Sequence, residues 1–190
     1  MRCEQRPSRV RILHAVTQMR RAGLETWLMH VLRRIDRERF QVDFLVHCDE
    51  PGDYDEEIRS LGSNVLYGAP LRQVWSYSQT ITRLLHRLPS YDIFHSHLDH
   101  FSGYPLKCAA KAGIPVRIAH CHSDVRQSFS KLRWSLKLYV KRSRSLTAGH
   151  RALGIATSPR AGESMFGRDG GTCPWTELRC GIDLGPDSYQ

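Results

Sequence analysis

Short apolar runs alternate with longer amphipathic stretches along almost the whole of this chain, and that order limits its fold more than any other feature. Arg9–Val16, Val42–Val46, Asn64–Tyr67, Tyr91–Phe94, Pro115–Ala119 and Leu153–Ser158 read as strands or the starts of strands. Helices are expected between them. Glu25–Ile35 places Trp27, Leu28, Val31, Leu32 and Ile35 at three- and four-residue spacing. Tyr54–Leu61 ends at Gly62, Tyr77–Leu88 at Pro89 and Phe101–Ala112 at Gly113, and Pro159 opens a further helix. Strand and helix in alternation require crossover connections. The expected fold is therefore α/β, a Rossmann-like, mostly parallel sheet with helices on both faces.

Lys131–Ser145 fits either period, but its length and lack of breakers favour a helix. After Gly167 the texture changes. Arg168–Trp175 is loop-like, Glu177–Cys180 reads as a last strand and Gly181–Gln190 as a polar tail. The expected division is a basic extension over 1–9, a Rossmann-like domain over 10–166, and an irregular segment over 167–190.

No stretch approaches the roughly 20 apolar residues of a membrane span. The opening residues are basic and polar, and Arg11 and His14 interrupt the first apolar run, so no leader core is visible and a cytoplasmic address is expected. The six cysteines have neither zinc-knuckle nor disulfide-framework spacing and read as reduced thiols. The net charge of +9 favours phosphate-bearing partners. It is uneven: no acidic residue lies between Asp124 and Glu163, while Lys131, Arg133, Lys137, Lys141, Arg142 and Arg144 do. With Trp134 and Tyr139, the stretch 131–144 suits either an anionic membrane surface or a solvated helix face.

In an open parallel sheet, ligands meet the loops beyond the carboxyl ends of the strands. Those loops hold Gly23, Glu25, His47, His97, Asp99, His100, His120, His122, Ser123 and Asp124. Gly23 either lets a phosphate or sugar approach the backbone or serves only its turn. His95-Ser-His97-Leu-Asp99-His100 matches the H-x-H-x-D-H zinc string of the metallo-β-lactamase fold, but in the wrong structural context, so a zinc hydrolase stands as a minor alternative and strand-end histidines as the plain reading. Asp53-Tyr-Asp55 fits a metal-binding D-x-D but opens an acidic helix, and the helix-start reading is preferred.

Taken in order, Arg11–Val16, Ala22-Gly-Leu-Glu-Thr-Trp27, Phe40–Val46, Tyr91–Asp99, Pro115–His122, Ala161–Gly167 and Gly181-Ile-Asp-Leu184 resemble retaining glycosyltransferases of the GT-B fold, family 4-like, of the capsular and exopolysaccharide type. The resemblance runs from about Val10 to Leu184. It implies an N-terminal domain that holds a glycan or lipid-linked acceptor and a C-terminal domain that holds a nucleotide-sugar cosubstrate, with no other cofactor, no metal and no nucleic acid. In the family the first loop reads Gly-Gly-Ala-Glu. Gly23 and Glu25 match it, while Ala22 and Leu24 depart from it. A histidine after the fifth strand sits near the donor sugar, and His122 and His120 compete for that place, with His122 preferred as the catalytic candidate. His97, Asp99, Ser123 and Asp124 are the accompanying substrate-binding candidates. The donor domain, with its glutamate pair, is expected to be absent, which would leave the chain inactive alone. A non-catalytic binding module or remnant is the alternative from another class.

Overall fold

A computed structural model describes residues 9–71, 74–168 and 173–181. Most of the basic extension, the Ile182–Leu184 part of the Gly-Ile-Asp segment and the remaining tail lie outside the described residues. Seven parallel strands form one sheet in the order β3-β2-β1-β4-β5-β6-β7. They are β1 (Val10–Val16), β2 (Phe40–Val46), β3 (Val65–Tyr67), β4 (Ile93–Ser96), β5 (Val116–Cys121), β6 (Leu153–Ala156) and β7 (Trp175–Glu177). The helices are α1 (Gly23–Arg34), α2 (Asp55–Ser60), α3 (Val74–Arg87), α4 (Gly103–Lys111), α5 (Arg126–Ser130), α6 (Trp134–Gly149) and α7 (Pro159–Phe166).

The expected α/β architecture is present, and the ambiguous 131–145 stretch is helical from Trp134 onward. Several elements differ from expectation, among them α3, which starts at Val74 rather than Tyr77. The last strand is Trp175–Glu177 rather than Glu177–Cys180. Here Gly154 and Gly162 leave space for the Trp175 side chain, and the Trp175 indole N–H reaches the Gly167 carbonyl at 3.2 Å. A 3-10 turn, Asp99–Phe101, precedes α4, which starts two residues later than expected. The short α5 carries too little periodicity to be read from sequence.

Strand alternation divides the core in two. On one face Val16, Val42, Phe44 and Val46 pack under Leu28, Met29 and Leu32 of α1 and Ile58 of α2. On the other, Leu13, Leu45, Phe94, Ala119 and Ala156 meet α3, α4 and α7 through Tyr77, Ile81, Leu106, Met165 and Phe166. The expected helix stops at Gly62 and Gly113 have φ of 81° and 80°, a left-handed turn that a side chain resists. Asp43, fully buried in β2, is satisfied: it accepts from the Tyr91 hydroxyl at 2.8 Å and from the Asn64 backbone and side-chain amides at 2.8 and 2.9 Å.

The strand order reverses between β1 and β4, so the loops that follow them diverge and leave a crevice at their carboxyl ends. Helix α1 lies along one side of that crevice.

Candidate functional site

Five imidazoles gather at the switch point. His14 of β1 pairs in register with His95 of β4, and His95 with Ile118 of β5. Side chains two residues apart on a strand share a face. His97 therefore follows His95, and His120 and His122 follow Ile118, all on the side covered by α1. His14 Nδ1 lies 2.8 Å from His97 Nε2, and His97 Nδ1 lies 2.9 Å from His122 Nε2. A second pair joins His95 Nε2 to His120 Nδ1 at 3.2 Å. Trp27, from the second turn of α1, presents its ring to His97, His120 and His122 at centroid distances of 6.3, 5.8 and 5.8 Å.

Burial keeps these rings neutral. It lowers His14 and His122 to about 4 and His120 to about 3, and it holds His95 and His97 well below the ordinary range. For His95, His97 and His120 the neighbouring rings add to the same effect by repelling one another's charged forms. His120 is 1% exposed and its Nε2 has no hydrogen-bond partner. His122 is partly exposed at the strand end, with Nδ1 3.8 Å from the Cys180 sulfur.

Asp99 has a left-handed φ of 45°, and its Oδ1 accepts the His122 backbone N–H at 3.2 Å, tying the β4 loop to the β5 loop. Burial raises its carboxyl above the usual value. Ser123 accepts the Cys121 thiol through its carbonyl at 3.2 Å. Asp124 faces outward and is taken up by Arg126 at 2.9 Å and Arg160 at 2.8 Å, which hold its carboxyl far below normal. Gly23 starts α1 behind Ala22, which supplies no side-chain cap, and a Cβ on Gly23 would meet nothing within 4 Å. Glu25 follows in the first turn, half-buried, with its carboxyl raised by desolvation. His97, Asp99, His120 and His122 thus form one assembly, with Trp27 linking it to the helix that carries Gly23 and Glu25. Asp124 belongs to a surface ion-pair group beside it.

Across β1, a cavity of about 470 Å³ is lined by Thr17, Gln18, Arg20, His47 and Cys48 among others. His47 is buried there between the Val16 carbonyl at 2.8 Å and the Tyr77 hydroxyl at 2.7 Å.

Nitrogens of His14, His95 and His97, and of His97, His120 and His122, lie within 4.8 Å of one another, close enough for a borderline ion such as zinc to span. Two of these contacts are already at hydrogen-bond length and occupy both nitrogens of His97. Neither Asp99 nor His100 joins these groups, so the H-x-H-x-D-H string is not one ligand set, and the parallel sheet is not the β-rich metallo-β-lactamase frame. Asp53 and Asp55 are likewise engaged in the structure. Asp53 accepts the Arg21 N–H at 2.9 Å, and Asp55 accepts the Tyr67 hydroxyl. The five described cysteines are free thiols, as expected.

His14 and Trp27 were not singled out as site residues by sequence, and His95 only as the first member of the H-x-H-x-D-H string. The i, i+2 histidine pairs in β4 and β5 carry a signal, but only the register shows that His14 completes the set.

A Rossmann-like sheet with polar residues converging at its switch point is the architecture of one half of a GT-B glycosyltransferase. One solved structure similar to this chain is that of Anabaena Alr3699/HepE in complex with UDP and glucose, at a TM-score of 0.62 and 15% identity over 92% of this chain and 45% of that one. Residues 21–185 match the family model for Glycosyltransferase Family 4, and the chain belongs to that family. It is 32% identical over 163 residues to EpsF of Bacillus subtilis (strain 168), whose name assigns it provisionally to the glycosyltransferases. It is 25% identical over 126 residues to CapH of Staphylococcus aureus, named as a capsular polysaccharide biosynthesis glycosyltransferase. These alignments cover 85% and 65% of this chain but 42% and 34% of the relatives, so the chain spans less than half the length of the curated proteins it matches.

Proposed function

We propose that this chain forms the acceptor-side wall of a sugar-transfer site, in which a sugar passes from a nucleotide-sugar to a glycan or lipid-linked acceptor with retention of anomeric configuration. The supporting observation is the convergence of His122, His97 and Asp99 at the switch point beside the uncapped start of α1. His122, just past the end of β5, is partly exposed, whereas His120 is enclosed beneath Trp27. His122 is therefore assigned to the reacting sugar and His120 to the support of its neighbours. Gly23, Glu25 and Ser123 are assigned to substrate binding beside it, and the open space around the Gly23 Cβ position would let a ligand approach the backbone. Positive charge for the departing diphosphate is assigned to a second domain, and no metal or other cofactor is assigned to the transfer.

Incubating the chain alone with a panel of nucleotide-sugars and a lipid-linked saccharide is expected to give no product. Adding a separately expressed second half from an EpsF-like relative is expected to restore transfer. Robust turnover by the chain alone would refute this division of labour.

The basic helix supports a membrane-linked acceptor. Trp134 is 75% exposed and Leu138 56%, flanked by Lys131, Arg133, Lys141 and Arg142, while Val140 and Ser143 face inward. No helix of the described residues is long and apolar enough to cross a bilayer, so contact through this surface would be peripheral, at the cytoplasmic face. Binding to vesicles rich in anionic lipid is expected to weaken about tenfold or more in a Trp134→Ala/Leu138→Ala double variant and to decline with salt. Equal cosedimentation of the two proteins would show that the helix is only a solvated face.

A further inference from the structure

We infer that the groove between α3 and α4 is an anion site that takes a phosphate group, either free in solution or carried on a lipid headgroup. Both helices lie on the face of the sheet opposite α1 and the imidazole cluster, so the inference does not depend on the sugar-transfer reading.

Helical spacing builds the groove. Ser78, Gln79, Thr82 and Arg83 share one face of α3, and Lys107 and Lys111, four residues apart, share one face of α4. The two helices meet where the Ser78 hydroxyl lies 3.6 Å from the Cys108 sulfur, and the Cys108 thiol also reaches the Ser78 carbonyl at 3.7 Å. Beside that contact the six residues line a cavity of about 470 Å³.

The lining is positive and lacks partners. Arg83, Lys107 and Lys111 bring three cations, and no carboxylate lines the cavity. Among the described residues none of the three cations forms an ion pair. Like charges four residues apart on a helix repel one another, and Arg83 faces both from α3. Their field reaches the end of α6. Burial lowers His150 from its ordinary value, and Lys107, Arg117 and Lys111 lower it further. Thr82 adds a second deficiency: its hydroxyl oxygen is buried and has no hydrogen-bond partner among the described residues. Buried hydroxyls are normally paired. One ligand relieves both conditions. An oxyanion balances the cations and accepts the Thr82 proton, with Ser78 and Gln79 as further donors.

The number of donors selects the kind of anion. Chloride brings one charge and no directed acceptors, and a carboxylate brings one charge and two oxygens. A phosphate monoester carries about −1.5 to −2 at neutral pH and three strong acceptor oxygens, which suits a guanidinium, two ammonium groups and the neutral donors between them. Helix α4 packs against both α3 and α6, so a headgroup held in the groove would lie one helix away from the element that carries Trp134 and Leu138.

Two probes test the site in the full chain. In the first, inorganic phosphate is titrated into the ¹⁵N-labelled protein against sodium chloride of equal ionic strength, and the amide shifts are followed. In the second, cosedimentation is measured with phosphatidylcholine vesicles that carry phosphatidic acid, a phosphate monoester, or phosphatidylserine at matched surface charge. Saturable shifts confined to α3 and α4 would assign the groove to free phosphate. A preference for phosphatidic acid would assign it to a lipid headgroup. Whichever binding is seen is expected to weaken about tenfold or more in Lys107→Gln/Lys111→Gln, since a hydrogen bond to a charged group is worth at least that factor. Arg37→Gln/Arg39→Gln removes two exposed charges elsewhere and is expected to leave binding unchanged. Arg83→Gln replaces the lysine variant if that one does not fold. The inference is overturned if phosphate acts no differently from chloride and both kinds of vesicle bind equally, or if the groove and control variants lose binding alike.

Discussion

Acidification from neutral pH to about pH 5 is expected to remove most of the folding stability of this chain. The cause is the set of histidines enclosed in neutral form. An unfolded histidine takes up a proton near pH 6.5, whereas burial holds His14 and His47 at about 4 and His120 at about 3. Their folded values lie below their unfolded ones. The stability linked to them is thus fully present above about pH 6.5 and is lost as the pH falls toward 4, because the unfolded state binds more protons. At about pH 5 each contributes a loss of about 2 kcal/mol, so the three together approach the whole stability of a typical domain, roughly 5–15 kcal/mol.

Among the described residues, no carboxylate pairs with these rings to offset the loss. His14 faces Phe44, His95 and His97; His120 faces Trp27, His95, His97 and His122; and His47 faces Tyr77 and the Val16 carbonyl. His95 and His97 are lowered as well and act in the same direction. Asp99 and Glu25, both raised by burial, act in the opposite direction but are fewer than the lowered rings. Urea unfolding followed across this range should show the midpoint falling steeply below about pH 6.5, with His14→Phe flattening the fall. A midpoint that stays constant from pH 8 to about pH 5 would mean that the rings are not enclosed as described.

Gly103→Ala is expected to be among the most damaging single methyl groups that could be added to this molecule. Gly103 opens α4 where it crosses α6, and its N–H donates to the Ser143 hydroxyl at 3.0 Å. A Cβ there would stand 1.8 Å from the Ser143 carbonyl oxygen and 2.5 Å from its carbon. The obstacle is backbone, which cannot rotate away, so the two helices would have to separate and break the buried hydrogen bond. Overpacking of this kind costs about 3 kcal/mol or more, a fall in melting temperature of roughly 6–12 °C for a domain of this size. Gly23→Ala is the control. Its Cβ meets nothing within 4 Å, and alanine suits a helix better than glycine, so the melting temperature should hold or rise slightly. Equal melting temperatures for Gly103→Ala and wild type would disprove the close crossing. A loss of substrate binding without loss of stability in Gly23→Ala would mark Gly23 as a ligand contact.

Much of the fold was legible in sequence because it rests on local signals. The alternation of apolar runs, the stops at Gly62 and Gly113, and Pro159 at the start of α7 depend on neighbours within a few residues, and each appears where expected. The edges were harder. Trp175 lies in a loop-like run, and its place in β7 depends on the space left by Gly154 and Gly162, which are distant in sequence. The site was legible only as a collection. His97, Asp99, His120 and His122 were marked by their positions beyond β4 and β5, but nothing local distinguishes Asp124, which pairs with arginines, from Asp99, which is buried.

By itself, then, the sequence determined the class of fold, its parallel layering and the family, since periodicity and motif order survive without coordinates. The tertiary structure alone decided which histidines touch. Parallel register aligns His14 with His95, and the two-residue repeat along β4 and β5 stacks the other rings on the same face, beneath Trp27. Hydrogen bonds and burial set a ring's protonation and tautomer, and both depend on residues more than 80 positions away, as His14 and His97 show.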